Sequence, residues 1–139
     1  MSKFVTLLKP DAVRRGLVGE IISRFEKKGF SLQSIRSVST GLDSSENDHL
    51  RKKLEEQYGE EHSEKGYYGK LIDFMSSGTL VVIIWKGNLQ VANRLVGITA
   101  PWECEIGTIR GDLACVLPEN LVHVSHTEAD AKRELKIWL

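Results

Sequence analysis

His123 has the sequence surroundings of a reactive imidazole. It follows the apolar pair Leu121-Val122 and comes shortly before a predicted helix start, where free N–H groups and the helix dipole attract phosphate. Ser125 offers a hydroxyl, and Glu134 on the following helix could orient the ring. Histidine titrates near neutrality, so its neutral form is available as a nucleophile. On these residues alone a purely structural histidine, the more common case, remains an alternative.

Several basic and hydroxyl residues could bind an anion beside that histidine. Lys9 ends the first predicted strand, where a loop would expose its ammonium. Arg110 lies in the turn-rich segment Gly107–Asp112, Arg94 lies on the helix before it, and Thr99 opens the intervening loop. Arginine's planar fork suits phosphate oxygens. The alternative for each cation alone is a surface salt bridge.

The familiar nucleotide motifs do not occur in this chain. There is no Gly-x-x-x-x-Gly-Lys-Ser/Thr sequence, and the protein-kinase motif set is missing. A phosphoryl-transfer enzyme with this sequence must therefore rely on another architecture, with positioning and charge neutralisation as its main devices.

An aromatic and an apolar residue at the start of one predicted helix could hold a nucleobase. Tyr67 and Leu71 lie one turn apart there. Such a grip acts on the faces of the base and does not read its edges, because every base has a π-face. Plain core packing is the alternative for both side chains.

Length and composition indicate one globular domain spanning residues 1–139. The chain is 41% hydrophobic and 27% charged, which is typical of globular proteins. Its 19 Lys+Arg balance 19 Asp+Glu, so it lacks the net positive charge typical of a nucleic-acid-binding protein. The longest apolar run, Leu80–Trp85, is too short for a bilayer, which takes about 20 residues. No signal-peptide core precedes Lys9, and Cys104 and Cys115 lack a disulfide-rich pattern. We expect a cytoplasmic protein without a membrane partner.

Hydrophobic periodicity and turn residues predict alternating strands and helices. The predicted strands are Phe4–Leu8, Phe30–Val38, Thr79–Trp85 and Leu113–Leu117. The predicted helices are Val18–Lys28, a helix from a cap at Asp43 toward Tyr58, Tyr67–Ser76, a helix capped by Asn88 and ending near Val96, and a last helix capped by Ser125 or Thr127 and ending near Trp138. The segments Gly59–Gly66 and Thr99–Gly111 read as turns and loop.

This order predicts an α/β (α+β) fold of the ferredoxin-like βαββαβ type, with a four-stranded antiparallel sheet and additional helices. Two βαβ units that share one sheet produce that arrangement. One face of the sheet should then carry helices. The other face usually serves as an interface, so we expect an oligomer.

Three segments, taken together, resemble the signatures of the nucleoside diphosphate kinase family. They are Lys9–Glu20, continued by Arg24–Phe30; Gly107–Asp112; and Asn120–Ser125, which surrounds the family's catalytic histidine. The resemblance runs on through Glu134 to Trp138. It covers nearly the whole chain in order and spacing, and three ordered motifs are far more specific than any one of them.

The resemblance implies a nucleoside diphosphate kinase that moves the γ-phosphate of a nucleoside triphosphate to a nucleoside diphosphate by a ping-pong mechanism through phosphorylated His123. Lys9 would contact the phosphate and the sugar hydroxyl, and Asn120 would bind the ribose. Ser125 and Glu134 would set the hydrogen bonding of the histidine. The phosphates would be held by Arg94, Thr99 and Arg110, and the base would lie between Tyr67, Leu71 and Leu117.

The resemblance also implies a cofactor and partners. Mg²⁺ would enter with the nucleotide and bridge its phosphate oxygens, without a metal site made by the protein. The substrates would be ATP and other nucleoside di- and triphosphates. Family members are usually hexamers or tetramers, so a homo-oligomer of that size is expected.

The sequence departs from the family pattern at three residues near the site. Val124 stands where the family has glycine or sometimes alanine, and a β-branched residue resists φ > 0. His126 replaces the usual aspartate and adds a second imidazole. Leu50 occupies the place of a family tyrosine, unless Tyr58 substitutes for it. These substitutions motivate an alternative function, a nucleotide-binding regulatory module on the same fold with weak or no phosphotransfer.

Two differences in length accompany these substitutions. The span Gln57–Gly66 is longer than usual, and one residue is missing between Arg94 and Gly97. The deletion could displace Arg94 relative to the phosphates.

Overall fold

The computed structural model describes residues 2–39, 44–62 and 68–139, of which 44–48, 60–62 and 68 are described by their helical backbone alone. The strands are β1 (Ser2–Leu8), β2 (Ser31–Val38), β3 (Leu80–Gly87) and β4 (Val122–Val124). The helices are α1 (Pro10–Arg14), α2 (Val18–Lys28), α3 (Ser44–His62), α4 (Tyr68–Met75), α5 (Leu89–Val96), α6 (Ile109–Leu113) and α7 (Glu128–Trp138). A 3₁₀ turn covers Pro101–Glu103. No described helix is both long and apolar enough to cross a bilayer.

The four strands form one antiparallel sheet in the order β2-β3-β1-β4. This order confirms the expected ferredoxin-like α+β fold. The central strand β1 pairs with β3 from Ser2↔Gly87 to Leu8↔Val81 and with β4 through Leu7↔His123. The sheet therefore joins His123 directly to the strand that ends just before Lys9.

Helices cover both faces of the central strands, so the expectation of one helix-free face is wrong. Alternate side chains of β1 enter two separate cores, as the period of a strand dictates. Phe4 and Leu8 pack with α2 and α5, where the rings of Phe25 and Trp85 stack at 4.9 Å. The other core joins Val5 and Leu7 to the apolar residues Leu50, Leu54, Tyr58, Leu71, Ile72, Met75, Leu80, Val82 and Trp138.

The fourth strand is not where the apolar run Leu113–Leu117 predicts it. Residues Ile109–Leu113 form α6, because Thr108 caps that turn by accepting the Gly111 N–H at 2.9 Å. The strand that pairs with β1 is Val122–Val124, and its three residues are too few to show a sequence period.

Helix α7 begins after Thr127 and not after Ser125. The Thr127 hydroxyl accepts the Asp130 N–H at 3.1 Å, and the Asp130 carboxylate accepts the Thr127 N–H at 3.3 Å, which makes a reciprocal capping box. The hydroxyl of Ser125 is engaged elsewhere. Helix α3 runs to His62, so the start of the predicted Gly59–Gly66 turn is helical, and the cap predicted at Asp43 lies outside the described residues.

Candidate active site

Strand β4 presents the histidine. Residues directly opposite in antiparallel strands point to the same face, so His123 shares the face of its partner Leu7, while Val122 and Val124 enter the other core. The Ser125 N–H donates to the Val5 carbonyl and continues the ladder. His123 is thus a strand residue held by backbone hydrogen bonds and is not at the helix N-terminus that the sequence suggested.

A carboxylate and a hydroxyl lie behind the imidazole. His123 Nε2 lies 2.8 Å from Oε1 of the fully buried Glu134, and Ser125 Oγ donates to the same oxygen at 2.9 Å. Burial raises the pKa of Glu134, but the charge of His123 and hydrogen bonds from His123, Gln57 and Ser125 outweigh it and hold that pKa below its ordinary value. An ionised carboxylate only accepts, so in the neutral form of the imidazole Nε2 carries the hydrogen and the lone pair resides on Nδ1.

Lys9 is buried, whereas the sequence suggested that a loop would expose it. It is 5% exposed, and its Nζ donates to Asn120 Oδ1 at 2.6 Å and to the Pro118 carbonyl at 3.4 Å. Burial, followed by the nearby charge of Arg110, lowers the pKa of Lys9 to about 7, against an opposing effect of Asp11. The site therefore holds a cation that is only partly protonated near neutrality.

Arg110 holds the backbone around the site. Its guanidinium donates to the carbonyls of Gly97 at 2.9 Å, Asn120 at 3.3 Å and Val122 at 2.5 Å. Burial lowers the pKa of Arg110 to about 10, so the side chain remains charged at neutral pH. A guanidinium has five N–H donors, which leaves others for an anion.

These groups meet at a cavity of about 1000 Å³, a volume typical of small-molecule sites. The predicted site residues that line it are Lys9, Leu71, Arg94, Thr99, Arg110, Leu117, Asn120 and His123. Ser125 and Glu134 lie behind His123 and do not line it. Tyr67 lies outside the described residues. Among the predicted site residues, the structure therefore brings together the predicted nucleophile, several cations and two apolar side chains.

Helix α3 supplies two residues near His123 that were not among the predicted site residues. The ring of Tyr58 meets the imidazole edge-on, with centroids 5.6 Å apart, and the Gln57 amide nitrogen lies 3.1 Å from His123 Nε2. Leu50 is buried in the apolar core. The aromatic ring that packs against the histidine is that of Tyr58. The spacing of Leu50, Leu54 and Tyr58 at every fourth residue is the sequence signal that could have placed Tyr58 on the inner face.

The other departures from the family pattern leave the cavity in place. Val124 lies in the extended strand β4, where a β-branched side chain fits. His126 is exposed and lines the same cavity as His123. Arg94 still lines the cavity despite the shortened connection to Gly97.

Comparisons with known proteins place this chain among enzymes that transfer phosphate. A profile of the family described as nucleoside diphosphate kinase matches residues 3–139. The nucleoside diphosphate kinase of Methanocaldococcus jannaschii is 41% identical over 133 residues, which cover 94% of this chain and 88% of that protein. That of an Exiguobacterium species is 38% identical and covers 99% of this chain and 94% of its own length.

Solved structures show the same likeness. A nucleoside diphosphate kinase family protein from Babesia bovis superposes with a TM-score of 0.85 and 37% identity, over 100% of this chain and 88% of that one. The halophilic enzyme of Halobacterium salinarum, solved in complex with CDP, superposes with a TM-score of 0.88 and 29% identity, over 99% and 87%. The chain belongs to the nucleoside diphosphate kinase family, and it is a phosphotransferase.

Proposed function

We propose that His123 carries the phosphate between the two nucleotides. The Nδ1 lone pair attacks the γ-phosphorus of a nucleoside triphosphate, and the bond from that phosphorus to the bridging oxygen breaks, so the electron pair leaves with the diphosphate. A terminal oxygen of a second diphosphate then attacks phosphorus, and the N–P bond returns its electron pair to Nδ1. The hydrogen remains on Nε2, hydrogen-bonded to the Glu134 carboxylate, throughout. The contact between His123 Nε2 and Glu134 carries this proposal.

Positioned charges would supply the transition-state stabilisation. Lys9, Arg94 and Arg110 line the cavity that His123 faces, and so do Thr99, proposed to hold the phosphates, and Asn120, proposed to bind the ribose. Phosphoryl transfer depends mainly on such positioning and neutralisation. An arriving phosphate favours the charged form of Lys9, because an opposite charge stabilises an ammonium. Lys9 would therefore take up its proton when the nucleotide binds.

The base would lie against apolar surface. Leu71 and Leu117 line the cavity, and Tyr67, outside the described residues, is the third residue proposed for this contact. Apolar contact with the faces of a base does not distinguish purines from pyrimidines by their edges. Adenine, guanine, cytosine and uracil diphosphates would all accept phosphate, with modest preferences.

Magnesium would arrive as part of the substrate. The residues described around the cavity offer Glu103 and Glu105 as its carboxylates, both exposed on the loop after α5. Two carboxylates beside the cavity suit Mg²⁺, which is usually bound through one or two carboxylates and keeps water and phosphate oxygens as its other ligands.

The single domain of residues 1–139 would assemble as a hexamer or tetramer in the cytoplasm. Leu32 and Ile35 on the edge strand β2 are 41% and 47% exposed. Trp102 and Ile106 in the loop after α5 are 65% and 84% exposed. Exposed apolar side chains of this size support burial against other subunits.

The regulatory-module alternative has less support. It is motivated by Val124, His126 and Leu50. Val124 fits its strand, and the ring of Tyr58, the residue that could substitute for the tyrosine missing at Leu50, packs against His123. Val124 and the exposed His126 both line the cavity, and His126 places an imidazole where the family usually has aspartate, but Lys9, Arg110, Asn120 and His123 line it as well.

Labelling with γ-³²P-ATP tests the proposed function. The protein should acquire a label that is stable to alkali and labile to acid, as expected of phosphohistidine. His123→Gln should abolish it, while His49→Gln, an exposed residue of α3, should leave it intact. Full labelling of the His123→Gln variant would refute the assignment, and loss of label in His126→Gln alone would transfer it to that residue.

A further inference from the structure

We propose that Gln57 is a positioning residue for phosphotransfer: anchored by Trp138, its amide holds Glu134 against Nε2 of His123 and thereby keeps Nδ1 bare for attack on phosphorus. The proposal rests on the function proposed for His123. Gln57 does not line the cavity, so it would act through Glu134 and the imidazole and not by contact with the nucleotide.

The orientation of the Gln57 amide is determined by the indole beside it. Trp138 Nε1 donates to Gln57 Oε1 at 2.9 Å. An indole nitrogen only donates, so this contact places the carbonyl oxygen toward Trp138 and the NH₂ group toward His123 and Glu134. Gln57, Trp138 and Glu134 are 0%, 1% and 0% exposed, so water does not compete for these groups.

His123 Nε2 has two neighbours that demand opposite roles. Glu134 Oε1 at 2.8 Å requires a hydrogen on Nε2, whereas the Gln57 amide nitrogen at 3.1 Å would require a lone pair there. The carboxylate prevails because a hydrogen bond to an ionised group is stronger than one between neutral groups. The Gln57 amide then acts as a hydrogen-bond donor that lowers the pKa of Glu134 and so favours its ionised form.

The backbone of Gln57 is held as firmly as its side chain. Arg133 Nη1 donates to the carbonyl oxygens of Glu56 at 3.0 Å and Gln57 at 3.2 Å. Arg133 Nη2 also lies 3.8 Å from Glu134 Oε2. These contacts join α3 to α7, so the Gln57 amide and the Glu134 carboxylate are held in a fixed position relative to each other.

Other titratable groups surround the imidazole. They are Lys9 after β1, Tyr58 on α3, Arg110 on α6, His126 after β4, and Arg133 and Glu134 on α7. A change at Gln57 leaves all of these side chains in the protein, so a change in the rate of phosphorylation reports on the amide.

The test uses Gln57→Met, which removes the amide and keeps an unbranched side chain. Single-turnover phosphorylation of His123 by Mg-ATP should slow by about tenfold, the loss expected for one charge-assisted hydrogen bond. KM for ATP should stay unchanged, because Gln57 does not line the cavity. ¹⁵N NMR of the imidazole should show a larger Nδ1–H fraction. Gln90→Met, at an exposed position of α5, is the matched control and should match wild type in the rate, KM and tautomer.

A second variant separates positioning from folding. Gln57→Met leaves the buried indole N–H without its acceptor, which costs stability in its own right. Q57M/W138F removes both groups, so its stability should recover while its rate stays low. Recovery of the rate together with stability, or a wild-type rate and tautomer in folded Q57M, would overturn the proposal. Absence of labelling on wild-type His123 would instead refute the proposed function.

Discussion

Nζ of Lys9 lies 2.6 Å from Oδ1 of Asn120, a residue 111 positions later in the chain. The contact joins the end of the central strand to the segment that leads into β4. Asn120 Nδ2 in turn donates to the Thr99 carbonyl at 2.9 Å, so one amide connects the ammonium to the loop after α5. A buried cation on this scaffold should influence both stability and ligand binding.

Lys9→Met should stabilise the protein most at acid and neutral pH. The pKa of Lys9 falls from 10.5 to about 7 on folding, so between these values the unfolded chain binds more protons and wild-type stability rises with pH. Below about pH 7 both states are protonated and the full cost of the buried charge applies. The advantage of the variant should therefore shrink from pH 6 to pH 10 in urea denaturation. Lys3→Met, exposed on β1, should show no such trend, and parallel curves for Lys9→Met and wild type would contradict the prediction.

Nucleotide binding at pH 8 should draw a proton from solution. Lys9 is largely neutral there because its pKa is about 7, and bound phosphate favours the ammonium. Calorimetric titration with ADP in two buffers of different ionisation enthalpy measures the uptake directly. Lys9→Met should abolish it, and buffer-independent binding by the wild type would show that Lys9 does not titrate with the ligand.

Glu134→Gln should slow phosphorylation of His123 by about 10- to 100-fold, the range for a hydrogen bond to a charged group. The amide introduced can donate to Nε2, which would place the ring hydrogen on Nδ1, the wrong nitrogen for attack. Rapid-quench measurement of phosphoenzyme checks this expectation. Glu128→Gln, on the exposed first turn of α7, is the control; an equally small effect of both changes would exclude selection of the tautomer by Glu134.

Arg110→Lys should destabilise the fold by about 1–3 kcal/mol, since one ammonium cannot serve three carbonyls and buried acceptors are left without donors. Denaturant titration measures the loss. Arg15→Lys is the comparison, because Arg15 reaches a single carbonyl, that of Leu113, at an exposed position. Similar small losses of stability for the two variants would show that the three carbonyl contacts of Arg110 do not stabilise the fold more than one exposed contact.

Gly87→Ala should destabilise the protein by about 1–3 kcal/mol through overpacking. A Cβ at Gly87 would lie 2.3 Å from Cδ1 of Phe30, whose ring packs edge-on against Phe4 at 5.6 Å. Gly19→Ala, within helix α2 with open space around its Cβ, should instead gain about 0.5–1 kcal/mol. Thermal denaturation of both variants tests the contrast, and equal effects would show that Phe30 moves aside freely.

Regular periodicity and capping residues allowed much of the fold to be predicted. The sequence predicts helix α2 at Val18–Lys28 and the Asn88 cap of α5, whose side chain accepts the Val91 N–H at 3.2 Å. It does not predict strand β4, because three residues show no period, or α6, because its cap lies in a segment that resembles a loop. Local pattern is informative where an element is long enough to repeat it.

The candidate site also contains residues that the sequence predicts and residues that it does not. Motif spacing led to His123 and Glu134, which lie in contact, and to the residues that line the cavity. Gln57 could not be found from the sequence, because its role depends on contacts with Trp138, 81 positions away, and with His123, 66 positions away. The burial of Lys9 was hidden for the same reason, since its partners follow a hundred residues later.

The pairing of Leu7 with His123 and the hydrogen bond from the Lys9 N–H to the Leu121 carbonyl at 2.8 Å set limits on how this chain can vary in length. One residue inserted in β1 or β4 would turn the imidazole to the opposite side of the sheet, away from the lysine, because side chains alternate with a period of two. Additions between α3 and α4 leave that pairing untouched. Homologous chains should therefore tolerate insertions after α3 while keeping the spacing of both strands invariant.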